Sequence, residues 1–225
     1  NHYIVNGQKT WTTLGQHANM IFCLVRTSTK GKPQEGISFL LIDMNSDGIE
    51  VRPLRTIDGE HEINEVFLTN VKVPIENLVG EENKGWTYAK YLLAHERTGI
   101  ANVGLSKRRI GELKQLASET KKDGKPLIQD PIFAARVAKT EIDLANLEIT
   151  NLRILSRAQA GGSPGPESSI LKILGSEIGQ EIDSLTRRAL GRRATIHVPN
   201  ILDYGYNGPN ISPINTATAA GVYFN

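Results

Sequence analysis

The hydrophobic period of this chain changes once, across residues 73–85, and that change limits what it can fold into. Before it, apolar residues come in short segments rich in Val, Ile, Phe and Leu, at positions 3–5, 20–26, 37–43, 49–53 and 65–73. Turn chemistry separates them at Asn6-Gly7, Lys30-Gly31-Lys32-Pro33 and Asp47-Gly48. Asn6-Gly7, set between residues 3–5 and 9–11, predicts a hairpin, because a type I′ turn needs positive φ at both central positions. Several short strands with no helix between them predict an antiparallel sandwich or barrel.

From Trp86 onward the spacing is helical, with Tyr88, Tyr91 and Leu92, then Ile100, Val103 and Leu105. A second helix is predicted from about residue 130 to residue 160, with Pro131 in the first turn, where its missing N–H costs little. A Gly-Gly-Ser-Pro-Gly-Pro linker, residues 161–166, ends it. A third helix over residues 167–190 lines up Ile170, Leu171, Ile173, Leu174, Ile178 and Ile182, and a tail rich in Pro, Gly and Asn follows from residue 191. Strands first and helices after define an α+β chain: an antiparallel β-sandwich or barrel domain, residues 1–82, then a helical-bundle domain, residues 83–225. The opening Asn1 and the stop at Asn225 soon after a turn read as the cut ends of a longer polypeptide.

Composition narrows the function classes. A formal net charge of +2 on 225 residues sets up no field toward nucleic acid or an anionic membrane. The single cysteine, Cys23, excludes an internal disulfide framework and fits a reducing compartment. Zinc-type Cys and His spacings are missing, and no apolar run reaches the ~20 residues of a membrane span.

Three groups of residues carry possible chemistry. In Asn6-Gly7-Gln8-Lys9-Thr10-Trp11-Thr12-Thr13, the tryptophan reads either as a core aromatic or as a flat wall beside hydroxyl donors. In His95-Glu96-Arg97-Thr98-Gly99, the glutamate reads either as a solvated surface carboxylate or as a general base. The second reading needs an apolar surround, for which Leu92, Leu93 and Ile100 stand nearby. Three basic clusters, Lys107-Arg108-Arg109, Arg187-Arg188 and Arg192-Arg193, read as solvated helix surface or as phosphate contacts.

The segment over residues 6–13, with Gly36-Ile37-Ser38-Phe39-Leu40, the run from Arg55 through Asn64-Glu65-Val66-Phe67, Val71-Lys72-Val73-Pro74, Asn77-Leu78-Val79-Gly80 and Glu81-Glu82-Asn83-Lys84-Gly85-Trp86, resembles the acyl-CoA dehydrogenase family in collinear order. The match is close over about residues 1–110 and looser beyond residue 120. The resemblance implies FAD as cofactor, with Trp11 packed on the flavin, Thr13 offering its hydroxyl to the N5 edge and Thr12 adding backbone contacts. Some members of the family carry the catalytic base near the C-terminus and others on the first helix of the C-terminal domain. The resemblance implies Glu96, in the second of these places, as the base that takes the α-proton of an acyl-CoA while the β-hydrogen leaves as hydride on the opposite face. His95 and Arg97 would shape the same substrate pocket. The family's thioester oxygen is held by a ribityl hydroxyl and a backbone N–H.

The same resemblance implies an electron-transfer flavoprotein as partner, and a homodimer or homotetramer located in a bacterial cytoplasm or a mitochondrial matrix. Other occupants of the scaffold are a flavin monooxygenase or oxidase and a non-catalytic DNA-binding or structural relative. Two segments depart from the family. Lys121-Lys122-Asp123-Gly124-Lys125-Pro126 stands where an Arg-x-x-Phe-Gly run is usual, and Ala189-Leu190-Gly191-Arg192 stands for Ile-Leu-Gly-Gly.

Overall fold

The computed structural model describes residues 1–99, 101–160 and 168–196, together with 198, 205, 207 and 208. Ile100, the 161–166 linker and the rest of the tail lie outside the described residues, as do the side chains of Ala94, His95, Arg97, Thr98 and Ala158. The chain forms two compact units, Asn1–Leu93 and Ala94–Asn225.

The first unit holds five strands: β1 His2–Thr13, β2 Met20–Arg26, β3 Ile37–Asp43, β4 Ile49–Leu54 and β5 Ile63–Pro74. They pair antiparallel as one sheet in the order β1-β5-β4 and a second sheet of β2 and β3. Alternation decides the inward faces. Val5, Leu68, Val71 and Val73 from the first sheet meet Cys23, Leu40 and Ile42 from the second in one core cluster. Leu40, Ile42 and Val71 lose all contact with water, which stabilises by roughly 1.5–3 kcal/mol for each such side chain. Pro53 sits in β4, an edge strand that pairs only with β5 and so needs fewer N–H donors. The sandwich expected from the alternating segments is therefore the fold, and β2 and β3 occupy the predicted positions.

The hairpin predicted at Asn6-Gly7 does not form, and β1 runs through it as one 12-residue strand paired to β5. The pairing steps from Val5↔Val71 to Gly7↔Leu68, so Thr69 and Asn70 oppose the single residue Asn6. Asn70 takes the left-handed conformation at φ 53°, and Gly7 has φ 149°. Asn6 Nδ2 donates to Asn70 Oδ1 at 3.1 Å, and the Asn70 N–H donates to Asn6 Oδ1 at 2.8 Å. Left-handed asparagine on the partner strand thus absorbs what sequence reads as a turn.

A helix α1, Gly85–Gly99, starts against β3. A Cβ at Gly85 would stand 2.6 Å from the Ser38 carbonyl carbon and 2.8 Å from the Phe39 nitrogen, so only glycine admits this approach. The buried Ser38 hydroxyl accepts from the Asn83 N–H at 2.8 Å and fixes the entry of the chain into the helix.

In the second unit, α2 Val103–Glu119, α3 Pro131–Gln159 and α4 Ser168–Leu190 pack around Leu113, Leu116, Ala117, Phe133, Val137 and Leu185, and around Leu147, Leu171, Ile178 and Ile182. The buried stripe of α4 is narrower than its apolar spacing implied, since Ile170 and Ile173 face water. A two-residue ladder of β6 Lys121–Lys122 and β7 Lys125–Pro126 joins α2 to α3. Asp123 and Gly124 turn it at φ 51° and 80°.

Asp130 caps α3: its Oδ1 accepts the Phe133 N–H at 2.9 Å, and Pro131 occupies the first helical position. The Lys122 ammonium at 2.6 Å and the Phe133 N–H hold the Asp130 carboxyl below the usual carboxylate range. A folded value below the unfolded one adds stability above about pH 4, lost as pH falls through the folded value. Asp130→Ala is expected to lower Tm at neutral pH and to shrink the gap to wild type in acid. Equal Tm values at pH 7 would remove the cap from this account.

Candidate functional site

The ledge at residues 11–14 is set by a second irregularity in β1. Pairing steps from Lys9↔Val66 to Thr12↔Asn64, so Thr10 and Trp11 together oppose Glu65. Trp11 sits at φ 60° and Leu14 at φ 54°, both left-handed, which for residues of this bulk costs on the order of 1–3 kcal/mol each. This backbone does not serve burial: Trp11 is 69% exposed and Leu14 51%. Trp11 is therefore no core aromatic. Thr13 is exposed beside it and Thr12 half-buried. An indole face, an aliphatic neighbour and a hydroxyl donor on one strained ledge suit a flat heterocycle with a polar edge.

Beneath the ledge lies a closed circuit of side chains. Asn64, on β5, has no exposure to water. Its Nδ2 donates to the Thr12 carbonyl at 3.1 Å and to Gln16 Oε1 at 2.6 Å. Its Oδ1 accepts from His61 Nε2 at 2.8 Å, and Gln16 Nε2 donates to the His61 carbonyl at 3.0 Å. Because the Asn64 amide oxygen can only accept, the His61 proton is on Nε2. Sequence reading gave none of the three a role at the site. The available signal was the phase of Asn64, which shares the inward face of β5 with Val66 and Leu68.

Glu96 lies on the last turn of α1 and is exposed, and Leu92 and Leu93 are exposed as well. Among the described residues no apolar enclosure surrounds the carboxylate, so the desolvation expected of a buried base is not built by these leucines. His95 and Arg97 share that turn, and their side chains lie outside the described residues.

The first basic cluster is structural. Lys107 pairs with Glu148 of α3 at 2.6 Å and Arg109 with Asp183 of α4, tying α2 to both, while Arg108 pairs within α2 with Glu112 at 3.5 Å. Arg188, Arg192 and Arg193 are exposed. No group of three or more metal-ligating side chains stands together among the described residues, and no helix there is long and apolar enough to cross a membrane.

Comparison with known proteins places both units. The profile described as acyl-CoA dehydrogenase, middle domain, matches residues 1–71, and that described as acyl-CoA dehydrogenase, C-terminal domain, matches residues 83–202. Acyl-CoA dehydrogenase FadE34 of Mycobacterium tuberculosis is 34% identical over 180 residues, covering 80% of this chain and 24% of that protein. Acyl-CoA dehydrogenase FadE26 of the same organism is 31% identical over 201 residues, covering 86% of this chain and 50% of that protein. The chain thus spans half or less of the length of these relatives. The crystal structure of the ChsE4-ChsE5 complex from Mycobacterium tuberculosis matches at a TM-score of 0.78 and 29% identity, over 99% of this chain and 55% of that chain.

Proposed function

The chain belongs to the acyl-CoA dehydrogenase family, and from that premise we propose that the protein forms the α,β double bond of a trans-2-enoyl-CoA from an acyl-CoA thioester. FAD is the cofactor in this reading and an electron-transfer flavoprotein the next electron acceptor; family membership supports both. The observation that carries the reading is the exposed, left-handed Trp11. A chain gains nothing for its own stability by holding an indole out of its core on strained backbone. The arrangement is accounted for by a ligand that covers it.

The residues divide the work by chemistry. Trp11 supplies the flat apolar surface against which an isoalloxazine would rest, with Leu14 extending that surface. Thr13 presents its hydroxyl as a hydrogen-bond donor to the polar edge of the ring, and Thr12 contributes backbone groups. The chemistry that FAD supplies when bound is acceptance of the β-hydrogen as hydride.

Glu96 is the proton acceptor. Its carboxylate takes the α-proton, whose acidity comes from the neighbouring thioester carbonyl, and the C–H electron pair becomes the new π bond. Since Glu96 is exposed in this chain, the bound thioester itself takes part in removing water from around it, and a carboxylate stripped of water is a stronger base. His95 and Arg97, one residue to either side, are assigned to the substrate pocket. A homodimer or homotetramer belongs to the same proposal, supported by Ile142, Ile149 and Leu152, which expose an apolar stripe along α3.

Anaerobic mixing of the flavin-loaded protein with acyl-CoAs of several chain lengths tests the reading. At least one acyl-CoA is expected to bleach the flavin absorbance within a turnover. Failure of every acyl-CoA to do so, with oxygen consumed when the protein is mixed in air with another substrate, would assign the scaffold to an oxygen-using enzyme.

A further inference from the structure

We infer that Asn64, oriented by His61 and Gln16, is a positioning residue that holds the Thr12 carbonyl and thereby the outward pose of Trp11. This rests on the assignment of Trp11 to the flavin and goes beyond it to the residues that set the site. Trp11, 69% exposed, has little burial to hold it, and its φ of 60° is one that a tryptophan leaves when it is free to do so. Something must fix the chain just beyond it, and the nearest such anchor is at the Thr12–Thr13 peptide. The hydrogen bond from Asn64 Nδ2 to the Thr12 carbonyl, 3.1 Å long and made by a side chain wholly out of water, is placed to do this.

The amide that makes it is locked on every side. Both of its N–H groups are committed, to Thr12 and Gln16, and its oxygen takes the His61 proton. Gln16 in turn is fixed by the His61 carbonyl, so neither amide can flip without setting two acceptors against each other. Packing closes the remaining space: a Cβ at Gly15 would stand 3.2 Å from Thr12 Cγ2 and 3.4 Å from Asn64 Nδ2.

Asn64→Asp keeps the shape and replaces the donor by an oxygen facing two acceptors. A readout independent of flavin is the ¹⁹F resonance of Trp11 in apoprotein grown with 5-fluorotryptophan, assigned by its loss in Trp11→Phe. In Asn64→Asp that resonance is expected to move and the flavin to bind about tenfold more weakly, the scale of one lost buried hydrogen bond. Val71→Ala, a core truncation at the far end of β5, is expected to lower Tm and leave the resonance in place. Should Asn64→Asp fail to fold, His61→Leu removes only the orienting donor, and His61→Gln restores an N–H at that position and with it the wild-type resonance. A Trp11 resonance unmoved in Asn64→Asp and His61→Leu overturns the positioning role. A moved resonance with flavin affinity unchanged in both Asn64→Asp and Trp11→Ala overturns instead the assignment of Trp11 to the flavin.

Discussion

Glu96→Gln is expected to slow acyl-CoA oxidation by about 10²–10⁴-fold, the usual contribution of a general base, with the flavin still bound. Glutamine matches glutamate in size and keeps an acceptor oxygen, so the thioester meets the same shape. What it lacks is affinity for a proton at neutral pH. The loss should therefore fall on the chemical step: single-turnover bleaching slows, while flavin content and acyl-CoA affinity stay near wild type. Glu96→Asp should fall between the two, since the carboxylate remains but is drawn back by one methylene. Because Glu96 is exposed on the last turn of α1, neither substitution leaves a cavity, and Tm should not move. Near-normal bleaching in Glu96→Gln would place the base in another residue.

Trp11→Ala is expected to weaken flavin binding roughly 30-fold, the scale of an aromatic anchor at about 2 kcal/mol. At 69% exposure the indole contributes little to the fold, so the apoprotein should melt at the wild-type temperature. Trp11→Gly sharpens the test. Glycine adopts φ 60° without penalty, and the relief is comparable to the entropy glycine costs in the unfolded chain. The apoprotein of Trp11→Gly should then melt close to wild type while holding flavin poorly. Flavin binding undiminished in both variants would return Trp11 to the status of an ordinary surface residue.

The architecture was legible because it follows from period. Segments 20–26 and 37–43 are short apolar runs of strand length, separated by the Lys30-Gly31-Lys32-Pro33 turn, and they are β2 and β3 residue for residue. Pro131 announced the start of α3. Asn6-Gly7 misled because turn propensity is local, whereas the pairing of β1 with β5 is decided some 60 residues away, where Asn70 accepts the unusual φ. At the site, residue type pointed to Trp11, Thr13 and Glu96, but no pattern in one strand reveals that an extra residue opposite Glu65 turns the indole outward. Asn64 was hidden for a related reason: its partners at residues 12, 16 and 61 come together only after the sheet forms.

The two-against-one step at Thr10 and Trp11 has a consequence for how this stretch tolerates change. Losing a single position there would reverse which way every later side chain of the strand points, carrying Thr12 and Thr13 to opposite sides. Side chains along β1 can be exchanged one at a time at modest expense, whereas its residue number is fixed by the ledge it builds.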